Sequence, residues 1–178
     1  MTTLGTAHTQ FILHWGEMGT RWGINRTVAQ IQALLFLSPE PLHAEQIAET
    51  LGVARSNVST SIKELLNWGI IKVSHKLGDR RDYFSCLEDP WDMFRIILEE
   101  RRKREIDPTI AALKECVALS KTEAGKDHFT TRRLAATLEF FEVTTQWYLQ
   151  VQKLPTRAVI KFMKLGSKIQ AFLKRQDA

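Results

Sequence analysis

The chain has few of the residues that cross-link small secreted domains or hold metal ions. Its 178 residues include only two cysteines, Cys86 and Cys116, far apart and without a histidine or cysteine close by. This spacing argues against a disulfide framework and a zinc site, and it favours a reducing compartment. We therefore expect a cytoplasmic protein that needs no metal or other cofactor.

Long apolar runs are also missing. No stretch reaches the roughly 18 apolar residues that a membrane span needs, and the N-terminus has no charged segment followed by an apolar signal core. The sequence predicts neither a membrane association nor export.

Catalytic patterns are absent as well. The histidines are scattered, no glycine-rich loop suits a phosphate, and no nucleophile has a recognisable base beside it. We expect no enzymatic activity.

What the chain does have is a close succession of short patterns between Leu42 and Leu87. Apolar residues at positions 44, 47, 48 and 51 share one helical face, and Gly52 can supply the left-handed turn that ends a helix. A second amphipathic segment runs from Arg55 to Gly69, with apolar residues at 58, 62, 65 and 66. Two short helices around a tight turn predict a helix-turn-helix.

The outer face of the second helix carries short hydrogen-bonding side chains with a cation near each end. In the major groove, Arg can bond guanine, Asn can bond adenine, and hydroxyls reach a base or a phosphate. We interpret this segment as a recognition helix for double-stranded DNA. The alternative is a helical hairpin whose polar face is merely solvated. The candidate contacts are Arg55, Ser56, Asn57, Ser59, Thr60 and Lys63.

A hairpin is predicted directly after that helix. The stretches 70–76 and 82–87 favour extended structure, and Gly78 and Asp79 between them favour a turn. Lys76, Arg80 and Arg81 then lie near the tip, where long cations reach a phosphate or a narrow minor groove. A solvated turn with incidental charge is the alternative, but the position after a helix-turn-helix favours a wing.

These residues carry a resemblance to a known family. The helix-turn-helix, the wing with Asp79-Arg80-Arg81 matching an Asp-x-Arg signature, and the opening at residues 11–19 resemble the MarR superfamily, particularly its GbsR-like branch. The resemblance implies a homodimeric transcriptional regulator with a small-molecule response, in which helices from both chain ends form the dimer. It also implies that the candidate residues above are those of the recognition helix and the wing tip.

One residue departs from the family pattern. Ala54 stands where a serine N-cap is usual. The missing side-chain acceptor costs about 1 kcal/mol of helix stability, unless Ser56 or Asn57 bonds locally instead.

The first helix is predicted to pack closely against another element. Residues 11, 15, 18 and 22 form an aromatic and apolar stripe, and Ile12, Gly16, Gly19 and Gly23 form a parallel stripe of mostly small residues. Because glycine inside a helix costs about 1 kcal/mol relative to alanine, close packing would explain these glycines. A second helix is expected over 27–37.

The rest of the chain reads as helices. Asp89-Pro90 and Asp107-Pro108 each resemble an N-cap followed by a first-turn proline, so two helices should begin there. The first should bury Trp91, Phe94, Ile97 and Leu98. Its charged end should then form i, i+4 pairs from Glu99 to Lys103 and from Glu100 to Arg104. Residues 121–127 read as a loop, and further helices are expected over 129–152 and 156–175.

The helix over 129–152 has more apolar surface than one chain easily covers. One stripe comprises positions 134, 138, 141 and 148, and another comprises 140, 143, 147 and 151. An isologous homodimer would bury the second stripe and match a pseudo-palindromic operator. We thus predict a mainly α fold with a small β-hairpin wing. A dimerisation helix would occupy 1–26, a winged helix-turn-helix 27–89, and a helical dimerisation region 90–178.

A ligand site is a weaker prediction. Trp15, Trp22 and Trp91 could line a pocket, and aromatic faces attract quaternary ammonium groups. The resemblance to GbsR-like proteins, which are associated with osmolyte and choline control, points the same way. The alternative is that these rings are ordinary core. For the chain as a whole, the alternative to DNA binding is a winged helix that serves as a protein-interaction or assembly module.

Overall fold

The computed structural model describes residues 5–123 and 128–173, apart from the side chains of residues 123, 128 and 166–173. The described helices are α1 (Thr6–Arg21), α2 (Arg26–Leu37), α3 (Ala44–Leu51), α4 (Arg55–Trp68), α5 (Pro90–Arg101), α6 (Asp107–Glu123), α7 (His128–Gln152) and α8 (Thr156–Leu173). The strands are β1 (Leu42–His43), β2 (Ile71–His75) and β3 (Asp82–Cys86). The chain divides into two compact units, Met1–Ile97 and Leu98–Ala178.

The core of the first unit is built around α2, which contacts α1, α3, α4 and β3. Its apolar residues at 28, 31, 34 and 35 are all buried, as their helical spacing predicts. Ile47 of α3 and Leu65 of α4 are fully buried in the same cluster. Each such side chain contributes about 1.5–3 kcal/mol by leaving water, so the core fixes α4 firmly.

Two glycines let α1 approach α2 closely. Gly16 and Gly19 are buried, and a Cβ added at Gly16 would lie 2.7 Å from Cγ of Gln30. The predicted close packing of the small stripe is confirmed for these two positions. For Gly23 the prediction is wrong, because α1 ends at Arg21 and Gly23 occupies the turn with φ +75°.

The sheet has three antiparallel strands in the order β1-β3-β2. The predicted hairpin is confirmed: Val73 pairs with Phe84, and His75 pairs with Asp82. The third strand, β1, was not predicted; it pairs Leu42 with Phe84 and His43 with Tyr83. A two-residue strand is too short to show a period of two, so its sequence carries no signal. The predicted mainly helical winged helix-turn-helix is confirmed.

The predicted starts of α5 and α6 are both confirmed, but Asp107 is not the N-cap of α6. The Asp89 carboxylate accepts the Trp91 N–H at 2.8 Å, and α5 begins at Pro90. Asp107 has helical dihedral angles, because the chain enters α6 directly from a π-helical turn over Arg102–Ile106. The wider turn bonds the Asp107 N–H to the Arg102 carbonyl. Because Pro108 has no N–H, the loosened turn lets the helix pass through it.

The ion pairs at the end of α5 also differ from the predicted ones. Glu99 pairs with Arg102 at 2.7 Å and Glu100 pairs with Lys103 at 2.8 Å, so both pairs are i, i+3 rather than i, i+4. Arg102 makes a second ion pair, with Asp107, at 2.6 Å. The carboxylate of Asp107 therefore binds a side chain instead of capping a helix.

The buried face of α5 also differs from its predicted composition. Met93 is the buried residue, and Ile96 and Ile97 pack partly buried against the core. Phe94 is 53% exposed, so its predicted burial is wrong.

The second unit packs α6 against α7. Thr131 Oγ1 donates to the Ser120 carbonyl, and Lys114 pairs with Glu142 at 3.0 Å, so the two helices run antiparallel. Residues 121–123 of the predicted loop lie within α6, and residues 124–127 lie outside the described residues. Within the described part of the chain, no helix has the length and apolar character that a membrane crossing requires. The predicted division into a dimerisation helix (1–26), a winged helix-turn-helix (27–89) and a helical dimerisation region (90–178) stays a prediction.

Candidate nucleic-acid interface

The helix-turn-helix presents one polar face of α4 to solvent. Gly52 ends α3 in the left-handed conformation, with φ +64°, and α4 begins three residues later. The inner face of α4 is buried, with Val58 and Leu65 at 0% exposure. Of the predicted contact residues, Arg55, Ser56, Asn57, Thr60 and Lys63 are exposed and Ser59 is half-buried.

The first turn of α4 lacks a side-chain cap. Ala54 is the N-cap residue and has extended backbone angles, and no side chain accepts a hydrogen bond there. The expected absence of a side-chain N-cap at Ala54 is therefore confirmed. The hydroxyl of Thr60 donates to the Ser56 carbonyl at 3.2 Å, so that hydroxyl is satisfied within the helix.

Arg55 is held by its own protein. Its Nε donates to Glu45 Oε1 of α3 at 2.9 Å, and its Nη1 donates to Ser59 Oγ at 2.5 Å. The hydrogen bond from Arg55 is the main reason that the pKa of Glu45 falls to about 2. The pair joins the two helices of the motif through a carboxylate that is ionised at neutral pH.

The wing turn is short and mostly exposed. It follows β2, and Gly78 adopts φ +81° where a side chain would be strained. Arg80 is exposed and has no hydrogen bond or ion pair to any described residue. The Lys76 ammonium lies 4.3 Å from the centre of the Tyr83 ring. Among the three predicted wing cations, Arg80 is therefore the one with an unengaged head group.

Arg81 instead folds back onto the base of the wing. Its Nε donates to both oxygens of Asp79, at 2.9 and 3.0 Å, and its Nη2 donates to the Tyr83 hydroxyl at 3.2 Å. The Tyr83 hydroxyl donates to Asp79 Oδ2 at 2.7 Å. These bonds, first of all that from Arg81, hold the pKa of Asp79 well below its ordinary value. Asp79 and Arg81 of the Asp-x-Arg signature thus stabilise the wing through hydrogen bonds to each other and to Tyr83.

Sequence reasoning missed His43, which joins the wing to the helix-turn-helix. It is the N-cap residue of α3, its backbone N–H donates to Gln46 Oε1 at 3.0 Å, and only 9% of its surface is exposed. Its Nε2 lies 2.9 Å from Arg81 Nη1, and its Nδ1 lies 2.9 Å from Glu45 Oε2. A histidine two residues before a glutamate is too common a pattern to single out. The contact to a residue 38 positions away depends on β1, which the sequence does not reveal.

The three predicted ligand tryptophans are not all brought together. Trp15 and Trp22 lie edge to face with ring centres 6.3 Å apart, and Trp15 also stacks on Phe11 at 5.3 Å. The indole N–H of Trp15 donates to the buried Gln32 side chain at 3.1 Å. Trp91 is half-buried, and the ring contacts found among the described residues do not include it.

The remaining chemistry of the described residues points away from metals and thiolates. No group of three or more His, Cys, Asp or Glu side chains among them could hold a metal ion. Burial raises the pKa of the Cys86 thiol to about 11, so that sulfur is protonated at neutral pH.

Comparison with known proteins shows what this part of the chain is similar to. The MarR family model matches residues 22–82, from the end of α1 to the start of β3. The HTH-type transcriptional repressor GbsR of Bacillus subtilis (strain 168) is 21% identical over 154 residues, which are 83% of this chain and 85% of GbsR. The "Putative HTH-type transcriptional regulator YvaV" of the same organism is 21% identical over 94 residues. That match spans about half of each protein, 53% of this chain and 53% of YvaV.

A solved structure gives the same fold. A crystal structure described as that of a transcriptional regulator superposes with a TM-score of 0.53 at 19% identity, covering 81% of this chain and 99% of the other. The fold and the exposed face of α4 define a winged helix-turn-helix protein. Residues 22–82, which include the helix-turn-helix and the first strand of the wing, are therefore similar to the MarR family.

Proposed function

We propose that the protein is a homodimeric, sequence-specific DNA-binding regulator of transcription, of the GbsR-like branch, without enzymatic activity. The observation that carries this proposal is the two-sided character of α4: its inner residues Val58 and Leu65 are fully buried, while its polar face is exposed. A helix anchored in this way keeps its shape when it enters a major groove. The match to the repressor GbsR over 154 residues supports the same function.

Within α4, the exposed polar residues divide into two kinds. Asn57 and Lys63 have no hydrogen bond or ion pair to described residues, so they are free to meet a base edge and a phosphate. Arg55 is already bonded to Glu45 and Ser59. Arg55 contacts DNA in one of two ways. It keeps these two bonds, and the Glu45 carboxylate orients its guanidinium, or it exchanges them for bonds to DNA.

The wing adds a second contact beside the recognition helix. Arg80 at the exposed turn reaches a phosphate or the minor groove, and Lys76 lies at the start of the same turn. Arg81 contributes mainly by holding Asp79 and Tyr83 in place. Sequence preference then comes mostly from α4 and affinity mostly from the wing cations.

The homodimer is supported by apolar surface in the second unit. On α7, Phe140 is 63% exposed, Val143 60% and Trp147 56%. These residues belong to the second stripe predicted from the sequence, which α6 does not cover. On α8, Phe162 and Met163 are also more than half exposed. A second copy that covers these faces would present two recognition helices to one duplex.

A small-molecule response is part of the proposal. The edge-to-face pair Trp15 and Trp22 is partly exposed, with Trp22 at 39%. Such faces attract a quaternary ammonium group through its positive charge. Because Trp15 packs against the α2 core, a ligand there would bias the position of α1.

The test is selection of duplexes from a randomised pool with the purified protein. We expect enrichment of a two-fold symmetric motif with half-sites about one helical turn apart. A protein-interaction or assembly module would enrich no sequence. That result would overturn the proposal, whatever the fold.

A further inference from the structure

A continuous chain of polar contacts connects the recognition helix to the wing through one buried histidine. It runs from Arg55 in α4 to Glu45 in α3, then to His43, and from there to Arg81 and Asp79 in the wing. Each link that involves His43 is 2.9 Å long. Among the hydrogen bonds of the described residues, the one between Arg81 and His43 joins Arg81 to the helix-turn-helix.

The bonding partners of the two imidazole nitrogens of His43 determine which nitrogen carries the hydrogen. A guanidinium can only donate, so Nε2 of His43 must accept from Arg81. The Glu45 carboxylate can only accept, so Nδ1 must carry the proton and donate to it. The Gln46 N–H also points at Nδ1, at 3.4 Å, but a protonated Nδ1 cannot accept from it, so the shorter bond to Glu45 takes the place of that cap bond. The geometry therefore selects neutral His43 with its hydrogen on Nδ1.

Protonation of His43 is incompatible with this arrangement. A second N–H would appear at Nε2 and face the Arg81 guanidinium, so that two donors and two positive charges would meet at 2.9 Å. The bond to Glu45 would grow stronger at the same time, because both partners would be charged. The imidazole would then stay bonded to Glu45 of α3, and Arg81 of the wing would lose its hydrogen bond to His43.

The charged and titratable groups around His43 do not compete with it. They are Glu45 from α3, Arg81 and Asp79 from the wing, and Tyr83 from β3, whose ring lies edge-on at 5.5 Å. The pKa of Glu45 falls to about 2, that of Asp79 also lies below its ordinary value, and that of Tyr83 is raised. The two carboxylates and the phenol therefore keep their charge states near neutral pH.

We propose that neutral His43 is a positioning residue for DNA recognition: it accepts a hydrogen bond from Arg81, ties the wing to the helix-turn-helix, and releases the wing when it is protonated. The part of this inference that concerns DNA rests on the proposed function. The tie itself is a property of the free protein, so the two parts can fail separately.

The tie is tested without DNA by NMR of the imidazole nitrogens in the full chain. The His43 signals are assigned by their loss in His43→Gln. At mildly alkaline pH we expect the hydrogen on Nδ1 and an accepting Nε2. A ring with its hydrogen on Nε2 would overturn the inference, because Arg81 would then have no acceptor.

The consequence for DNA is tested by the pH dependence of sequence preference. The probes are the duplex most enriched by selection at about pH 8 and a scrambled duplex of the same composition. The measured quantity is the ratio of their dissociation constants, since an added positive charge raises affinity for any duplex. Between about pH 8 and about pH 6 we expect this ratio to fall about tenfold in the wild type, as for the loss of one charged hydrogen bond.

Two variants assign that change to His43. In His43→Gln, and in His43→Asn, which keeps an N-cap side chain, the ratio should not respond to pH. The matched control is His75→Gln, since His75 lies in the same wing but is exposed and bonded only to Asp82 among the described residues. It should respond as the wild type does. Equal pH responses in the wild type and both His43 variants would overturn the inference.

Failure of the proposed function would look different. If selection recovers no preferred duplex, the protein is not a sequence-specific DNA binder, and the NMR measurement still decides whether His43 holds Arg81. If a motif is recovered and its preference does not depend on pH, the DNA-binding function stands and the positioning role of His43 falls.

Discussion

Gly19 and Ala29 hold α1 and α2 in closer contact than any larger residue at position 19 would allow. A Cβ built on Gly19 lies 2.5 Å from the Cβ of Ala29. Real Cβ atoms do not approach other carbons so closely, and the second atom belongs to a short side chain that cannot move aside. The first helix is therefore fixed to the core at this point.

Substitution of Gly19 by alanine tests this contact. Overpacking typically costs about 1–3 kcal/mol, which exceeds the roughly 1 kcal/mol that alanine gains as a helix former. We expect Gly19→Ala to lower the free energy of unfolding in urea. Gly5→Ala is the control, because its nearest neighbour would be His8 Nδ1 at 3.6 Å. A Gly19→Ala protein more stable than the wild type would contradict the packing.

Periodicity in the sequence predicted the two helices of the helix-turn-helix well. The apolar spacing of residues 44–51 and 55–68 places their buried faces correctly, because each face is decided by one core within the same unit. Gly52 marks the turn for an equally local reason, since its positive φ is open to glycine at no steric cost.

The rest depended on contacts that sequence spacing does not show. Strand β1 exists only because β3 offers Leu42 and His43 a partner. Asp107 resembles an N-cap, yet the Arg102 guanidinium from the preceding turn captures its carboxylate. Arg81 has the composition of a solvent-exposed cation, but Asp79 and His43 engage it. In each case a specific bonding partner, which residue spacing does not reveal, decides the outcome.

Stability should depend on the ionisation of Glu45. Its pKa is lowered from 4.5 to about 2, chiefly by the hydrogen bond from Arg55. A carboxyl whose pKa is lower in the folded state stabilises the fold above its ordinary value, and this contribution is lost as the pH falls from about 4.5 towards about 2.

Replacement of Glu45 by glutamine should reveal that dependence. Glu45→Gln should lower the unfolding temperature at neutral pH and approach the wild type as the pH falls. The effect should stay under about 1 kcal/mol, because half of each side chain is exposed. Glu49→Gln, at an exposed site on the same helix, serves as the control. A pH-independent difference between Glu45→Gln and the wild type would show that the ion pair with Arg55 contributes nothing.

The proposed dimer should dissociate when a charge enters the exposed face of α7. Phe140→Asp places a carboxylate where 63% of a phenylalanine is exposed in the single chain. We expect a monomer by sedimentation equilibrium at concentrations where the wild type is a dimer. Ala135→Asp is the control, since five residues at 3.6 per turn place it on another side of the helix. A wild-type monomer, or an unchanged Phe140→Asp dimer, would contradict the proposed interface.

Arg80 should contribute to the affinity for DNA of any sequence rather than to the preference for one sequence. Arg80→Ala should weaken binding to all duplexes similarly and reduce the slope of log affinity against log salt by about one. Arg157→Ala, which removes an exposed cation from α8, should leave the slope unchanged. A normal salt slope in Arg80→Ala would show that the wing turn does not approach the phosphates.

The most direct test of the central claim compares two asparagines of α4. Asn57 lies on the exposed face in the first turn, whereas Asn67 is exposed at the opposite end of the helix. Removal of a bidentate contact to adenine costs about 1–3 kcal/mol of discrimination. Duplex selection with Asn57→Ala should therefore lose its preference at one symmetric pair of positions, and selection with Asn67→Ala should return the wild-type motif. If Asn57→Ala also returns the full wild-type motif, α4 does not read the bases in the manner proposed.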